Sequence, residues 1–233
     1  MYNEDMREDE IGHHWWVSVK HWIADWHGPL DAKDGLPLMD STQAEARLGI
    51  VLPRPLKEWY SIAGRRADIH SAQNRLVSPA QLEIHDNHAI FYLENQSVVA
   101  WGIALSDLGS PDPPVSVDLD YALHGRAHQW VEENGTVSEF LLQMAVHETL
   151  FTSTFSGNAP IDQENIGKIE RHYPRLRFPA WHWPVYPTRF FGDRETLVVV
   201  NGAEWLWVAA RNEHAFMKVV ARLPVKWAYL WEP

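Results

Sequence analysis

The stretch Ile90 to Ile103, IFYLENQSVVAWGI, decides how the rest of the chain is read. Ile90 to Leu93 is apolar and aromatic throughout, while Val99, Trp101 and Ile103 stand on alternate positions, the period of a half-buried strand. Glu94-Asn95-Gln96 interrupts the two runs and predicts a hairpin. The turn is not of the Asn-Gly type, so it does not by itself set the register. Nothing in these residues is a reaction centre; they belong in the middle of a sheet.

Working outward towards the C-terminus, Val115, Val117 and Leu119 alternate after Pro113-Pro114. This predicts a strand whose prolines cap its start and suit it to a sheet edge. Gln129 to Glu132 reads as a further strand, and Asn134-Gly135 as a turn. Thr136-x-x-Glu139 then has capping-box spacing ahead of Phe140 to Phe151. That helix is apolar most of the way round, with Phe140, Leu141, Met144 and Phe151 on one side and Leu142, Val146 and Leu150 on another, so it should be largely buried. Thr152 to Pro160 has the composition of a linker, and a short helix around Ile166, Ile169 and Tyr173 stops before Pro174. Pro174 to Pro187 interleaves prolines with Phe178, Trp181, Trp183 and Tyr186. It reads as an irregular strap over the core in preference to a polyproline recognition segment, because so many aromatics are poorly tolerated in one exposed patch. Asn201-Gly202 between two apolar runs predicts a hairpin. A helix with Phe216, Val219, Val220 and Leu223 ends before Pro224, and Trp227 to Trp231 reads as a last strand.

Towards the N-terminus, Arg65 to Arg75 reads as a polar loop. Pro55 opens a helix with Leu56, Trp59, Tyr60 and Ala63 on one face and Gly64 as its stop. Thr42-x-x-Glu45 predicts a second capping box before a short helix ending at Gly49, with a loop from Asp31 to Asp40 ahead of it. Trp15, Val19, Trp22 and Trp26 recur at helical spacing, and an amphipathic helix packed on the domain is expected there. The organisation expected is thus a Trp-rich extension over 1–41 and a domain over 42–233 with a Pro/aromatic insertion at about 152–190.

The chain has 233 residues, 31 acids against 20 bases, a formal charge of -11, 13 Trp and no Cys. The charge repels phosphate backbones and anionic headgroups. It keeps a protein soluble and also steers a basic protein partner. Without Cys there is neither a thiolate nucleophile nor a thiolate-bound zinc. No apolar run approaches the roughly 18 residues of a membrane span, and the start has no basic region followed by an apolar core. A cytoplasmic protein is expected, with no membrane and no direct nucleic-acid partner.

Candidate chemistry is sparse. His124-x-x-x-His128 has the spacing of two imidazoles on one helical face, but Gly125 weakens a helix there and no third ligand is implied. His85 and His88 beside Asp86, and the pair His13-His14, have no better claim, so neither a metal site nor a cofactor is expected. Glu94 is the tempting carboxylate, but the better reading is that Glu94 or Gln96 caps backbone groups at the hairpin turn. No phosphate loop, nucleophile elbow or HExxH is present, and no enzymatic activity is expected.

Four stretches in one order carry a resemblance: LGIVLPRPLKEWY at 48–60, FYLENQSVVAWGI at 91–103, DPPV at 112–115 and TVSEFLLQM at 136–144. This order resembles the SUKH superfamily, whose namesakes include a yeast regulator of cell-wall synthesis and many bacterial immunity proteins. The matching positions are Leu52, Pro53, Trp59, Glu94, Gln96, Trp101, Gly102, Asp112, Pro113, Pro114, Phe140 and Leu141, read here as structural. The resemblance covers about Thr42 to Phe151. It implies an α+β domain in which a single, mostly antiparallel sheet carries helices, in agreement with the elements read above. It further implies a non-enzymatic bacterial immunity protein that binds and neutralises a co-encoded polymorphic or contact-dependent toxin, often a nuclease. An acidic chain masking a basic toxin domain has a physical basis in complementary potentials. The Trp-rich start and the Pro174–Pro187 stretch depart from the minimal family domain and leave the toxin-binding surface unassigned. A regulatory scaffold like the yeast namesake, and then a glycan-binding module using the tryptophans, are the alternative readings.

Overall fold

A computed structural model of the chain describes residues 8–122 and 128–232. α1 (Glu8–Trp26) fully buries Val19 and Ile23, and Trp22 Nε1 donates to Thr149 Oγ1 at 3.1 Å. α2 (Leu38–Leu48) starts directly after Pro37, whose φ of -57° already suits helix entry, and ends at Gly49 with φ 68°. The helix therefore begins a turn before the expected capping box. Thr42 instead donates back to Leu38 O at 3.3 Å, and Glu45 accepts from Leu52 N–H and Lys57 Nζ at 2.9 and 3.0 Å. α3 (Arg54–Ala63) follows Pro53 and buries Leu56, Trp59, Tyr60 and Ala63. The stretch 65–75, polar enough to read as loop, contains the single turn α4 (Ala67–His70), which forms because Ile69 and His70 are buried.

The first sheet comprises β1 (Arg75–Leu76), β2 (Glu83–His85), β3 (His88–Leu93), β4 (Ala100–Ala104), β5 (Pro114–Asp118) and β6 (Trp130–Thr136), in the order β1-β3-β4-β5-β6 with β2 on β3. β3 and β4 form the hairpin, with a bulge between Ile90 and Tyr92 that sets Tyr92 opposite Trp101. β4 is covered on both faces: Trp101 and Ile103 point into the core, while Ala100 and Gly102 are buried on the other side. A Cβ at Gly102 would stand 3.0 Å from His88 Cβ and 3.3 Å from the Trp130 ring, so that close cover favours glycine.

β5 is an interior strand and not an edge, because β6 pairs along it. Its prolines sit at the strand start, where the register slips between Pro114 and Val115. That slip absorbs Asn134-Gly135 as a bulge inside β6, with Gly135 at φ 130°, so the dipeptide's tolerance of unusual backbone is spent without reversing the chain.

α5 (Val137–Thr152) follows at once. The remaining elements are β7 (Phe155–Pro160), α6 (Gln163–His172), β8 (Thr188–Gly192), β9 (Thr196–Asn201), β10 (Trp205–Ala210), α7 (Glu213–Arg222) and β11 (Tyr229–Leu230). Their strands form a second antiparallel sheet, ordered β11-β7-β10-β9-β8. The linker-like run after α5 is thus a strand. Its small residues admit close neighbours: a Cβ at Gly157 would meet Trp227 and Leu230 at 3.2 Å.

The α+β class with antiparallel pairing holds, but the strands divide between two sheets instead of one, and α5 is the reason. A helix apolar nearly all round must be covered from more than one direction. One core cluster joins Trp59, Trp101 and Phe140 to Phe190, Leu197 and Val199, reaching from the first sheet across α5 to the second. The alternate residues Phe191, Val198 and Val200 face Ile166 and Ile169 of α6 and Phe216 and Val219 of α7. The strap from Pro174 to Pro187 seats Trp181, fully buried, between Phe140 and Phe190. Among the described residues no helix is long and apolar enough to cross a membrane.

Candidate functional site

The motif residues lie inside this scaffold. Leu52, Trp59, Trp101, Phe140 and Leu141 are at most 2 % exposed, and Pro53, Gly102 and Pro113 are buried. Glu94 folds over its own turn, Oε2 accepting Gln96 N–H at 2.8 Å and Val98 N–H at 3.4 Å, while the Gln96 side chain is exposed. Asp112 caps α5: Oδ1 accepts Ser138 N–H at 3.0 Å, and Oδ2 accepts the Thr136 and Ser138 hydroxyls at 2.8 and 2.6 Å. Glu139 completes the capping box through Thr136 N–H at 3.2 Å. A carboxylate at this helix end also meets the positive pole of the helix dipole.

Several polar residues within the apolar pattern of α5 are buried. Glu148, fully buried, accepts Gln73 N–H at 2.5 Å and Asn74 N–H at 3.0 Å, tying the segment after α4 to the central helix. Gln143 Nε2 donates to Pro179 O at 2.9 Å and so fixes the strap. Sequence reading passed over these residues; their signal was a polar side chain inside an otherwise apolar helix.

A polar cleft of about 400 Å³ opens between the end of α1, α4, the end of α5 and the second sheet, lined by Trp26, His27, Asp68, Thr149, Phe155 and Arg211 among others. Thr149, His27 and Asp68 have the residue types of a nucleophile, base and acid series. The proton inventory argues otherwise. Thr149 Oγ1 donates to Ala145 O at 3.0 Å and accepts from Trp22 Nε1, leaving a lone pair to accept from His27 Nε2 at 3.0 Å. His27 Nδ1 stands 3.6 Å from Asp68, whose carboxylate is held by Arg66 at 2.9 and 2.8 Å. The group is a clasp that fixes α1 on α5.

Burial pushes His27 below the ordinary histidine value, with Asp68 opposing and Arg66 reinforcing the shift. Burial does the same to His70, whose Nε2–H donates to Ala63 O and whose Nδ1 accepts from Ser71 Oγ, each at 3.0 Å. The unfolded chain takes up protons near about pH 6.5, whereas the folded chain resists them to lower pH. The stability held by these neutral rings is therefore fully present above that value and is lost as pH falls through the lowered folded pKa values. The urea midpoint should fall steadily on going from about pH 7.5 to about pH 5.5. A flat profile over that interval would contradict the assignment of both rings as neutral.

Among the described residues, a cluster of imidazoles lies on the outer face of the first sheet. His128 Nδ1 is 2.6 Å from Asp118 Oδ2, and His128 Nε2 is 2.8 Å from His85 Nε2. Tyr121 packs its ring edge-on to His85 at 5.3 Å and donates its hydroxyl to Glu83 at 2.9 Å. His88 turns away, stacked on Trp130 at 4.1 Å with Nδ1 2.8 Å from Asp86 O. Of the sequence candidates, His85 and His128 are thus brought together across 43 positions. His124 and the side chains of His13 and His14 lie outside the described residues. Asp118 and Tyr121 carried no sequence signal, since only the pairing of β5 with β6 places them beside His128. No protein-family model, curated protein or solved structure matches the chain.

Proposed function

We propose that this protein is a non-enzymatic immunity protein of the SUKH type, which binds a co-encoded basic toxin domain in the cytoplasm. The observation that carries the reading is that the four SUKH-like stretches pack as one unit. α3, the β3–β4 hairpin, Val115 of the DPPV stretch and α5 share a single core cluster around Trp101 and Phe140, and Asp112 of the same stretch caps α5. Those residues serve the scaffold, so partner specificity falls to the surface. The outer face of the first sheet suits a basic partner. One cross-strand row runs Glu83, Ile90, Gly102, Ser116, Glu132, with exposed carboxylates at both ends, and exposed Asp120 follows β5.

The test is binding to the toxin domain encoded beside this chain. Affinity should fall as salt rises, because the attraction is between exposed charges. Asp120→Lys with Glu132→Lys should weaken binding at least about tenfold, chiefly through slower association, and flatten the salt dependence. Absence of binding to any adjacent product would overturn the reading; binding indifferent to both substitutions would remove the first sheet as its surface.

A further inference from the structure

We infer that His85 and His128 form a binding site for a divalent transition-metal ion of the zinc class, with Asp118 as the carboxylate that orients it. The three residues come from separate parts of the first sheet: His85 ends β2, Asp118 ends β5 and His128 precedes β6. Their meeting is a property of the fold.

The proton count defines the site. Asp118 is fully buried, and its Oδ1 is already occupied by Asp120 N–H at 3.0 Å. Its Oδ2, 2.6 Å from His128 Nδ1, holds the proton on that nitrogen. In the neutral ring this leaves His128 Nε2 a lone pair, and His85 Nε2 faces it at 2.8 Å. Only one proton fits between the two nitrogens, and with a neutral His128 it sits on His85. When that proton passes through solvent to His85 Nδ1, both rings stay neutral and two lone pairs face the same space. A divalent cation then takes the place of the shared proton, with no net proton released.

Two features make this more than a hydrogen-bonded pair. A metal-bound imidazole characteristically gives its other N–H to a carboxylate, which fixes the ring and raises its basicity, and Asp118 with His128 has that arrangement. The rings also share one packing partner. Tyr121 packs against His85 at 5.3 Å and against His128 at 5.8 Å, and its hydroxyl is anchored on Glu83. Imidazoles on a tetrahedral zinc sit about 3.3 Å apart, given bond lengths of about 2.0–2.1 Å. A small rotation of His85, on the short and largely exposed β2, provides the needed opening. Among the described residues no three His, Cys, Asp or Glu side chains converge on one point, so water fills the remaining coordination positions. Nitrogen and oxygen donors without thiolate favour Zn²⁺, Cu²⁺ or Ni²⁺ over Ca²⁺ and Mg²⁺.

The test is calorimetric titration of the EDTA-treated full chain with zinc chloride. One ion per chain is expected. Affinity should fall at least about tenfold in His85→Ala and in His128→Ala, by about 10–100-fold in Asp118→Asn, and not at all in His88→Ala, whose ring is turned away. Imidazole nitrogen resonances of the wild-type chain give a second readout that needs no variant: zinc should shift the Nε2 signals of two histidines together. Absence of both heat and shift would overturn the site. Zinc uptake that persists unchanged in His85→Ala and His128→Ala would overturn it equally, by placing the ion elsewhere.

Discussion

Trp101→Ala is expected to destabilise the protein by about 3–5 kcal/mol, the range for deleting a large buried aromatic side chain. The indole is fully buried at the centre of the first sheet. It meets Tyr92 at 6.1 Å, Phe140 of α5 at 5.7 Å and Trp183 of the strap at 5.5 Å, so three elements lose packing at once. Surrounding β4 is covered on both faces, which leaves little freedom for the cavity to collapse. Urea denaturation measures the loss, and Trp101→Phe should recover a substantial part of it. Unchanged stability with lost partner binding would make the hairpin a recognition surface.

Glu148→Gln should cost about 2–4 kcal/mol, for a different reason: an acceptor is converted into a donor where two N–H groups need acceptors. The carboxylate is fully buried and receives the backbone N–H groups of both Gln73 and Asn74. Glutamine keeps one carbonyl oxygen but turns an NH₂ towards the second amide, leaving that amide buried and unpaired. Hydrogen exchange should rise at Gln73 and Asn74 before it rises in α5. If those amides keep their protection in the variant, the segment is held by α4 and not by Glu148.

The success and failure of sequence reading have one origin. Where a signal is local, it sufficed. Pro53 and Pro55 with Leu56, Trp59 and Tyr60 defined α3, and Thr136 with Glu139 defined the start of α5. The same local grammar misled where a neighbour elsewhere in the chain competed. Thr42 and Glu45 have capping spacing, but Pro37 starts the helix earlier and Leu52 N–H claims the carboxylate. Phe155 to Pro160 has linker composition, yet pairing with β10 and β11 makes it a strand.

By itself, then, the sequence determined the α+β class, the central hairpin, the buried character of α5 and the acidic surface, because periodicity, capping and charge act over a few residues. Tertiary structure alone decided that α5 has a sheet on either side, that β5 lies inside its sheet, and that His85 meets His128 above a buried Asp118. Each of those depends on which strand lies beside which, and strand pairing is settled by the joint burial of residues far apart in the chain.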